Sequence, residues 1–249
     1  MSGAAEKGAA SEPRSEPCNA SAKVRGRIYW VGGSKGGVGK SMLTFAVLDY
    51  LLERGEKVVL IECDTSNPDV WQAYQAHVPT ELINLDEGDG WIHLVNVCDA
   101  NRGRVIVLNT AARNNDAVTQ YGSTLAGSLE ELESDLIAFW VINRQRDGLE
   151  LLKVFMETMG EAQVHVVRNG YFGEEAKFEL YNDSKVRETI EKQGGKSITL
   201  PDLADRVADD IYSQRLALSA AAKSLPLGNR AELSRWRSAV RKVLGEVVS

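Results

Sequence analysis

The sequence predicts a single α/β domain built on a mostly parallel sheet with helices on both faces. Short apolar runs alternate with helical patterns along the chain, and continuous runs of this kind are typical of strands covered on both faces. The predicted strands arrive at steady intervals with no linker between them, which favours one domain over two. These strands are 28–31, 57–61, 104–108, 136–142, 164–167 and 197–200.

The folded domain is predicted to begin near residue 25. Residues 1–24 are rich in Ala, Ser, Glu, Gly and Pro and hold almost no large apolar side chains. Burial there cannot offset the entropy lost on ordering, so we expect a disordered tail at 1–24 and the domain at 25–249. A helix at 41–52 follows the first strand and is apolar around much of its circumference, as expected for a helix covered on both sides.

Composition argues against several classes of protein. The chain has 249 residues and a net charge of −6, which gives no global attraction to nucleic acid or an anionic membrane. No segment approaches the roughly 18 apolar residues of a transmembrane helix, and the N-terminus lacks the apolar core of a signal peptide. The three cysteines and three histidines show no metal-ligand spacing. We therefore expect a cytoplasmic protein with reduced thiols and no zinc site.

A glycine-rich loop is predicted between the first strand and the first helix, with the sequence Ser34-Lys35-Gly36-Gly37-Val38-Gly39-Lys40-Ser41. This order of strand, loop and helix is the context of a phosphate-binding loop. The glycines let backbone N–H groups turn toward an anion, and the helix N-terminus adds its positive dipole end. Lys40 is placed to reach the β- and γ-phosphates of a nucleotide, and the Ser41 hydroxyl is placed to ligate Mg²⁺. The alternative is a chance glycine-rich turn.

A second lysine before the glycine pair, Lys35, makes the loop resemble the deviant Walker A motif of ParA/MinD-type ATPases. The resemblance implies that Lys35 crosses a dimer interface to touch the nucleotide of the second subunit, while Lys40 keeps the ordinary role. The family motif begins with Gly, and this chain has Ser34 there. The residues that the resemblance assigns to nucleotide binding in this loop are Lys35, Gly36, Gly37, Val38, Gly39, Lys40 and Ser41.

The second predicted strand is followed by Glu62-Cys63-Asp64. The carboxyl ends of parallel strands meet at the edge where the loop lies, and a carboxylate there can hold a Mg²⁺-bound water or orient the attacking water. The ParA/MinD family carries Asp-x-Asp at this point, which implies that Asp64 positions water and belongs to the metal site. Glu62 stands where the first Asp is usual. The alternative for Asp64 is a cap on the following turn.

The third predicted strand is followed by Asn109, where most of the family carries the Walker B aspartate. An amide can hydrogen-bond a Mg²⁺-bound water but brings no charge. We therefore expect either weaker metal binding or compensation by Glu62 and Asp64, and slow hydrolysis. Residues 112–115 would form the second switch segment. The alternative for Asn109 is an ordinary turn residue at a strand end.

The nucleobase is predicted to be adenine. No Asn in this chain is followed by Lys, so the guanine-reading motif Asn-Lys-x-Asp is absent, and ATP is the expected nucleotide. In ParA-like proteins an Asn at a late strand end contacts adenine, and a proline after a later strand packs near the base. The resemblance gives these roles to Asn169 and Pro201. Asn169 could instead form a turn before Gly170.

Over residues 27–245, the order of elements is similar to that of plasmid TraL/StbC-type proteins, which are ParA-like ATPases of conjugation, mobilisation and plasmid stability operons. The resemblance implies an ATP-sandwich homodimer in which hydrolysis resets the affinity for a partner protein of a partition or transfer complex. Two alternatives stay open: a nucleotide-binding scaffold with little hydrolysis, and a small-molecule P-loop enzyme, for which no acceptor-pocket residues can be assigned. The similar segments are 62–64, 73–74, 168–173 and 200–203.

The C-terminal segment 214–249 is basic in an acidic protein, with seven Lys and Arg against two Glu and hence a local charge of +5. Its apolar residues share one helical face. A helix could pack that face on the domain, contact DNA without sequence preference, or bind a membrane surface. The sequence favours the first interpretation and favours a membrane least. The residues of the apolar face are Leu233, Trp236, Val240, Leu244 and Val247.

Overall fold

The computed structural model describes Met1, Gly3 and residues 25–248. The predicted disordered tail at 1–24 therefore lies outside the described residues, apart from these two positions. Cys63 and Cys98 are free and buried, while Cys18 lies outside the described part of the chain.

The described chain forms one seven-stranded sheet in the order β3-β2-β4-β1-β5-β6-β7. Every strand pairing in it is parallel, which confirms the predicted fold class and extends "mostly parallel" to the whole described sheet. The strands are β1 (Gly26–Gly33), β2 (Val58–Glu62), β3 (Thr80–Leu82), β4 (Val105–Asn109), β5 (Ser134–Ile142), β6 (Gln163–Asn169) and β7 (Ser197–Leu200).

Six of these strands coincide with the six predicted apolar runs, with ends that differ by no more than two residues. The seventh, β3, was not predicted. It has three residues, and Glu81 and Leu82 are exposed at the edge of the sheet. A segment this short and polar carries no periodic hydrophobic signal. It is a strand because it pairs with β2, and not because its own side chains are buried.

Eleven α-helices connect and cover the strands of the described chain, and short 3₁₀ turns lie at Ala112–Asn114, Gly170–Phe172 and Glu175–Lys177. The helices are α1 (Lys40–Glu53), α2 (Asp69–Tyr74), α3 (Gly88–Ala100), α4 (Asn115–Tyr121), α5 (Ser123–Ala126), α6 (Asp147–Thr158), α7 (Glu179–Asn182), α8 (Lys185–Lys192), α9 (Asp205–Ser213), α10 (Leu218–Ser224) and α11 (Leu227–Leu244).

The sheet lies between two apolar layers, because alternate strand residues point to opposite faces. Tyr29 and Val31 of β1 belong to the layer formed with α1, α2, α9, α10 and α11. Ile28 and Trp30 belong to the layer formed with α3 to α8. Helix α1 is buried nearly all round, as predicted, because it packs between the sheet and the C-terminal helices.

Helix α11 packs its apolar face into the core, which is the interpretation that the sequence favoured. Leu233, Trp236, Val240 and Leu244 are all buried there. Trp236 and Leu244 are therefore not available for insertion into lipid while the helix is docked. None of the helices in the described residues is both long and apolar enough to span a bilayer.

The basic face of α11 is partly neutralised by ion pairs. Arg237 pairs with Asp49 and Glu53 of α1, and Arg241 pairs with Glu53. Arg235 pairs with Glu232 on its own helix. Three of the seven basic residues of the segment thus form ion pairs with carboxylates. A DNA contact through this face stays a prediction, and these ion pairs reduce the positive charge that the face could offer to phosphates.

Candidate nucleotide-binding site

The glycine-rich loop lies at the carboxyl edge of the sheet, after the central strand β1 and before α1. β1 pairs with β4 on one side and β5 on the other, so the loop is flanked by the ends of both. Gly37 and Gly39 have φ values of 75° and 104°, a conformation that side chains with a Cβ rarely adopt. The backbone at Gly39 can therefore turn into the first helical residue, Lys40.

Asn169, at the end of β6, makes a hydrogen bond to the glycine-rich loop. Its Nδ2 donates to the carbonyl of Val38 at 2.9 Å, and its Oδ1 accepts the N–H of Tyr171 at 3.1 Å. A Cβ at Gly39 would overlap this amide, so glycine is required there for contact with Asn169 as well as for the backbone conformation. The structure thus brings the predicted base-contacting residue to the loop and also shows the turn that was its alternative role.

Lys40 is buried beneath the loop. Its Nζ donates to the carbonyl of Lys35 at 3.0 Å. Burial lowers the pKa of Lys40 to about 8, and the nearby carboxylates of Asp64 and Glu62 oppose this shift. An anion in the loop would stabilise the charged amine further. Ser41 is the second residue of α1 and is half-buried.

Lys35 points away from the loop interior and is about half-exposed. Its ammonium group pairs with the carboxylate of Asp147, the first residue of α6, and this contact lowers the pKa of Asp147. Exposed pairs of this kind contribute little to stability. Lys35 is therefore free to exchange its partner without disturbing the fold.

The predicted metal-site residue Asn109 lies in a buried hydrogen-bonded chain. Its Oδ1 accepts the hydroxyl of Thr44 on α1 at 3.0 Å, and its Nδ2 donates to Oε1 of Glu62 at 2.9 Å. Strand register explains the second contact, because Glu62 and Asn109 stand opposite each other at the ends of β2 and β4. Burial raises the pKa of Glu62 to about 7, against the hydrogen bonds from Asp64 and Asn109.

Asp64 lies beyond the end of β2 and is held by Arg113 from the second switch segment. The Nη1 of Arg113 contacts Oδ1 of Asp64 at 3.2 Å, and its Nε donates to Asp86 at 2.7 Å. Oδ1 of Asp64 also accepts the N–H of Asn67 at 3.3 Å, so the capping role that was the alternative for Asp64 is present too. The segments that follow β2 and β4 are thus joined by one guanidinium group.

Pro201, the second residue assigned to the base, lies just after β7. Its carbonyl accepts a hydrogen bond from the indole Nε1 of Trp236 at 2.8 Å. Helix α11 therefore supports the edge of the site at which the resemblance places the base, while its other side packs on α1.

Sequence reasoning missed three contacts of the site. Thr44 belongs to an apolar helix and carries no motif of its own, although it lies one turn after Lys40 and so faces the same way. Arg113 lies in the predicted second switch segment, but no sequence pattern indicates its contacts with Asp64 and Asp86. Their partners are distant in sequence, so no local pattern could have identified these contacts.

These features define a P-loop nucleotide-binding domain. The family described as CobQ/CobB/MinD/ParA nucleotide binding domain matches residues 29–188, and the chain belongs to this family. It is similar to protein MobD of Acidithiobacillus ferrooxidans, with 63% identity over 221 residues that span 89% of this chain and 97% of that protein.

More distant similarities agree on the fold. The septum site-determining protein MinD of Escherichia coli K12 is 29% identical over 111 residues, which span 43% of this chain and 40% of MinD. The solved structure of MinD from Aquifex aeolicus superposes with a TM-score of 0.53 at 15% identity and covers 91% of this chain and 99% of that one. The latter likeness concerns the fold alone.

Proposed function

We propose that this protein is a Mg²⁺-dependent ATPase of the ParA/MinD type that acts as a nucleotide-controlled switch. The observation that carries the proposal is the loop itself: Gly37 and Gly39 adopt left-handed conformations, and Lys40 is buried beneath them. Such a loop at a helix N-terminus presents N–H groups and a cation to phosphates.

The chain holds suitable residues for Mg²⁺ beside the loop. The Ser41 hydroxyl, the Asp64 carboxylate and the Asn109 amide come from α1 and from the ends of β2 and β4. Oε2 of Glu62 is buried and has no hydrogen-bond partner within 3.5 Å among the described residues, although the Trp71 N–H lies close enough to the carboxylate to lower its pKa; a buried acidic oxygen of this kind fits a nearby cation. When bound, Mg²⁺ would neutralise charge that develops on the transferred phosphoryl group.

Hydrolysis would proceed by in-line attack of water on the γ-phosphate, with Asp64 orienting the water and Lys40 stabilising charge on the phosphate oxygens. Asn169 and Pro201 would border the adenine. We expect slow turnover, because Asn109 is neutral and Asp64 is engaged by Arg113.

The active form would be a homodimer with ATP held between the subunits. Lys35 would leave Asp147 and reach the nucleotide of the second subunit, as the family resemblance implies. ATP can favour the dimer only through its greater affinity for that state. Hydrolysis would then return the protein to its resting state.

The biological output would be a change of affinity for a partner protein in plasmid partition, stability or conjugative transfer. The similarity to MobD and the resemblance to plasmid TraL/StbC-type proteins support this role. A sequence-independent DNA contact through the basic C-terminal region would add to it. Such a contact should weaken steeply as salt rises.

A second candidate is a nucleotide-binding scaffold with little hydrolysis. The contact between Arg113 and Asp64 favours it, because it ties up the carboxylate that would orient water. Both candidates bind nucleotide, so they differ in turnover and not in affinity.

The dimer is tested by size-exclusion chromatography with ADP, ATP, and ATP plus Mg²⁺. Wild type should shift to a dimer with Mg·ATP, and Lys35→Ala should stay monomeric. Lys57→Ala removes an exposed lysine at the opposite edge of the sheet and is the matched control. Equal dimerisation of wild type and Lys35→Ala would refute the role of Lys35.

Turnover is tested by steady-state phosphate release from wild type and Asp64→Ala. A switch ATPase should lose nearly all release in the variant while ADP affinity stays near the wild-type value. If wild type binds ADP but releases no phosphate above the protein-free background, the scaffold is the correct function. Equal release from both proteins above that background would instead remove Asp64 from the mechanism.

A further inference from the structure

The two residues proposed to border the adenine are brought to one point by the register of β6 and β7. Asn169 stands opposite Leu200, the residue before Pro201. The two chains stay close beyond the strands, because a Cβ at Gly170 would lie 2.6 Å from the Leu200 carbonyl oxygen and 3.1 Å from the Asp202 nitrogen. Asn169 and Pro201 therefore lie on one continuous edge of the site.

The orientation of the Pro201 ring depends on a hydrogen bond from α11. The ring fixes φ of Pro201, so ψ is the one backbone dihedral of this residue that can still rotate. The direction of the Pro201 carbonyl follows ψ, and this carbonyl accepts the indole Nε1–H of Trp236 at 2.8 Å. Trp236 is fully buried, and its indole has only this one hydrogen to donate. The position of α11 thus sets the direction in which the Pro201 ring faces.

The same helix also contacts the helix that carries the phosphate-binding lysine. Arg237, the next residue of α11, donates to both oxygens of Asp49 on α1, which begins at Lys40. Neighbouring residues of α11 therefore contact the two parts of the chain that are proposed to hold the base and the phosphates. A nucleotide must span these two parts, so their spacing matters for a nucleotide and not for a free phosphate chain.

We propose that Trp236 is a positioning residue for the nucleobase. By orienting Pro201 it strengthens binding of the adenosine part of the nucleotide and leaves binding of the phosphates unchanged. Because Trp236 is fully buried, it acts through Pro201 and not by direct contact with the base. The inference rests on the proposed function, because it takes Pro201 to border the adenine. It extends that function by giving the C-terminal helix a part in nucleotide recognition.

Trp236→Phe removes the indole N–H and keeps an aromatic side chain in the core. It should bind ADP about five- to tenfold more weakly than wild type, the effect expected from the loss of one hydrogen bond. Its affinity for inorganic pyrophosphate, which matches the two phosphates of ADP but has no base, should stay within about twofold. Both affinities are measured by competition with a fluorescent ADP analogue. An equal loss for both ligands would show a purely structural role and overturn the inference.

Trp91→Phe is the matched control. Trp91 is also fully buried and donates its indole N–H to a loop carbonyl, that of Leu85, at 3.0 Å, but it belongs to the other apolar layer of the sheet. This variant should bind ADP within about twofold of wild type. A loss as large as that of Trp236→Phe would show that the effect comes from general destabilisation, and the inference would then be wrong.

A double-mutant cycle tests whether Trp236 acts through Pro201. Pro201→Ala removes the ring and leaves α11 unchanged, so it should also weaken ADP binding and spare pyrophosphate, even if Trp236→Phe does not fold. The double variant Trp236→Phe/Pro201→Ala should bind ADP no more than about twofold more weakly than Pro201→Ala, because contacts that act as one unit are not additive. Full addition of the two losses, or wild-type ADP affinity in either single variant, would contradict the inference.

Failure of the proposed function would give a different result. A wild-type protein that binds neither ADP nor pyrophosphate would refute nucleotide binding in the loop. A wild-type protein that binds both, but ADP no more tightly than pyrophosphate, would retain the phosphate site and overturn the inference alone.

Discussion

Gly39 is the residue at which the geometry of the loop is most constrained. Its φ of 104° and the amide of Asn169 over its Cα both exclude a side chain. The residue thus couples the loop after β1 to the end of β6, through the hydrogen bond from Asn169 to Val38. A change at this one position should disturb both segments.

Gly39→Ala should lower the free energy of unfolding by about 2 kcal/mol, because alanine in a left-handed conformation costs about 1–2 kcal/mol and its Cβ would displace Asn169. ADP affinity should fall at the same time. Urea denaturation and calorimetric titration with ADP measure the two effects.

Gly36→Ala is the control for stability. Gly36 has no positive φ, and an added Cβ there meets no atom within 4 Å. Its free energy of unfolding should stay within about 0.5 kcal/mol of wild type. Equal destabilisation by the two substitutions would show that the loop is not constrained as the geometry indicates.

At the level of elements, α1 and α11 are joined by an ion-pair network at the back of the site. Arg237 donates from Nε and Nη2 to the two oxygens of Asp49, at 2.7 and 2.8 Å, and also reaches Glu53. Asp49 is buried, and burial raises its pKa although Arg237 acts in the opposite direction. The helix that carries Lys40 is therefore held in place by the C-terminal helix.

Arg237→Ala should destabilise the protein by about 3 kcal/mol, because it leaves Asp49 buried without its charge partner. Arg235→Ala removes an equally long side chain from the same helix, but Arg235 is exposed and pairs with Glu232 on its own helix. That variant should stay within about 0.5 kcal/mol of wild type. Urea denaturation compares the two, and a loss in Arg237→Ala as small as that in Arg235→Ala would show that the network with α1 adds no stability.

The segments that follow β2 and β4 also act together. Arg113 contacts Asp64 and Asp86, and Asn114 donates to Asp86 at 2.8 Å. If either segment moves, it must either break these contacts or move the other segment with it. A displacement of one segment should therefore be transmitted to the other through Arg113.

For the molecule as a whole, one contribution to acid sensitivity comes from a buried histidine on β6, the strand beside the edge strand β7. His165 of β6 is buried, and its Nδ1 accepts the N–H of Lys196 at 3.1 Å. Burial lowers its pKa to about 4, and the charge of Lys196 adds to the shift. An unfolded histidine has a pKa of about 6.5, so between these values the unfolded chain binds a proton that the folded chain does not.

His165 should therefore lower the free energy of unfolding by about 2 kcal/mol as pH falls from 7.5 to 5. Glu62, whose pKa is raised to about 7, acts in the opposite direction over the same range, so the loss due to His165 is read from the difference between wild type and a variant. His165→Asn keeps an acceptor for the Lys196 N–H and does not titrate. Urea denaturation at the two pH values should show a smaller loss in the variant by that amount. The same loss in both proteins would contradict the prediction.

Local sequence was sufficient to predict the fold class, six of the seven described strands and the position of the glycine-rich loop between β1 and α1. Each of these depends on neighbouring residues, namely an apolar run of four to seven residues or a motif of eight. The roles of Lys35, Lys40 and Ser41 rest on that motif and stay predictions. The edge strand β3 was missed because its pairing partner, and not its own pattern, defines it.

The contacts that give the site its chemistry could be obtained only from the folded chain. Glu62 meets Asn109, Arg113 meets Asp64, and Asn169 meets the loop because parallel strands end at one edge of the sheet and stand in a specific register. Sequence showed a missing charge at Asn109. The folded chain showed that the Glu62 carboxylate lies beside this amide. Residues that are far apart along the chain supply the partners of polar atoms in a buried site, so local sequence could not reveal this contact.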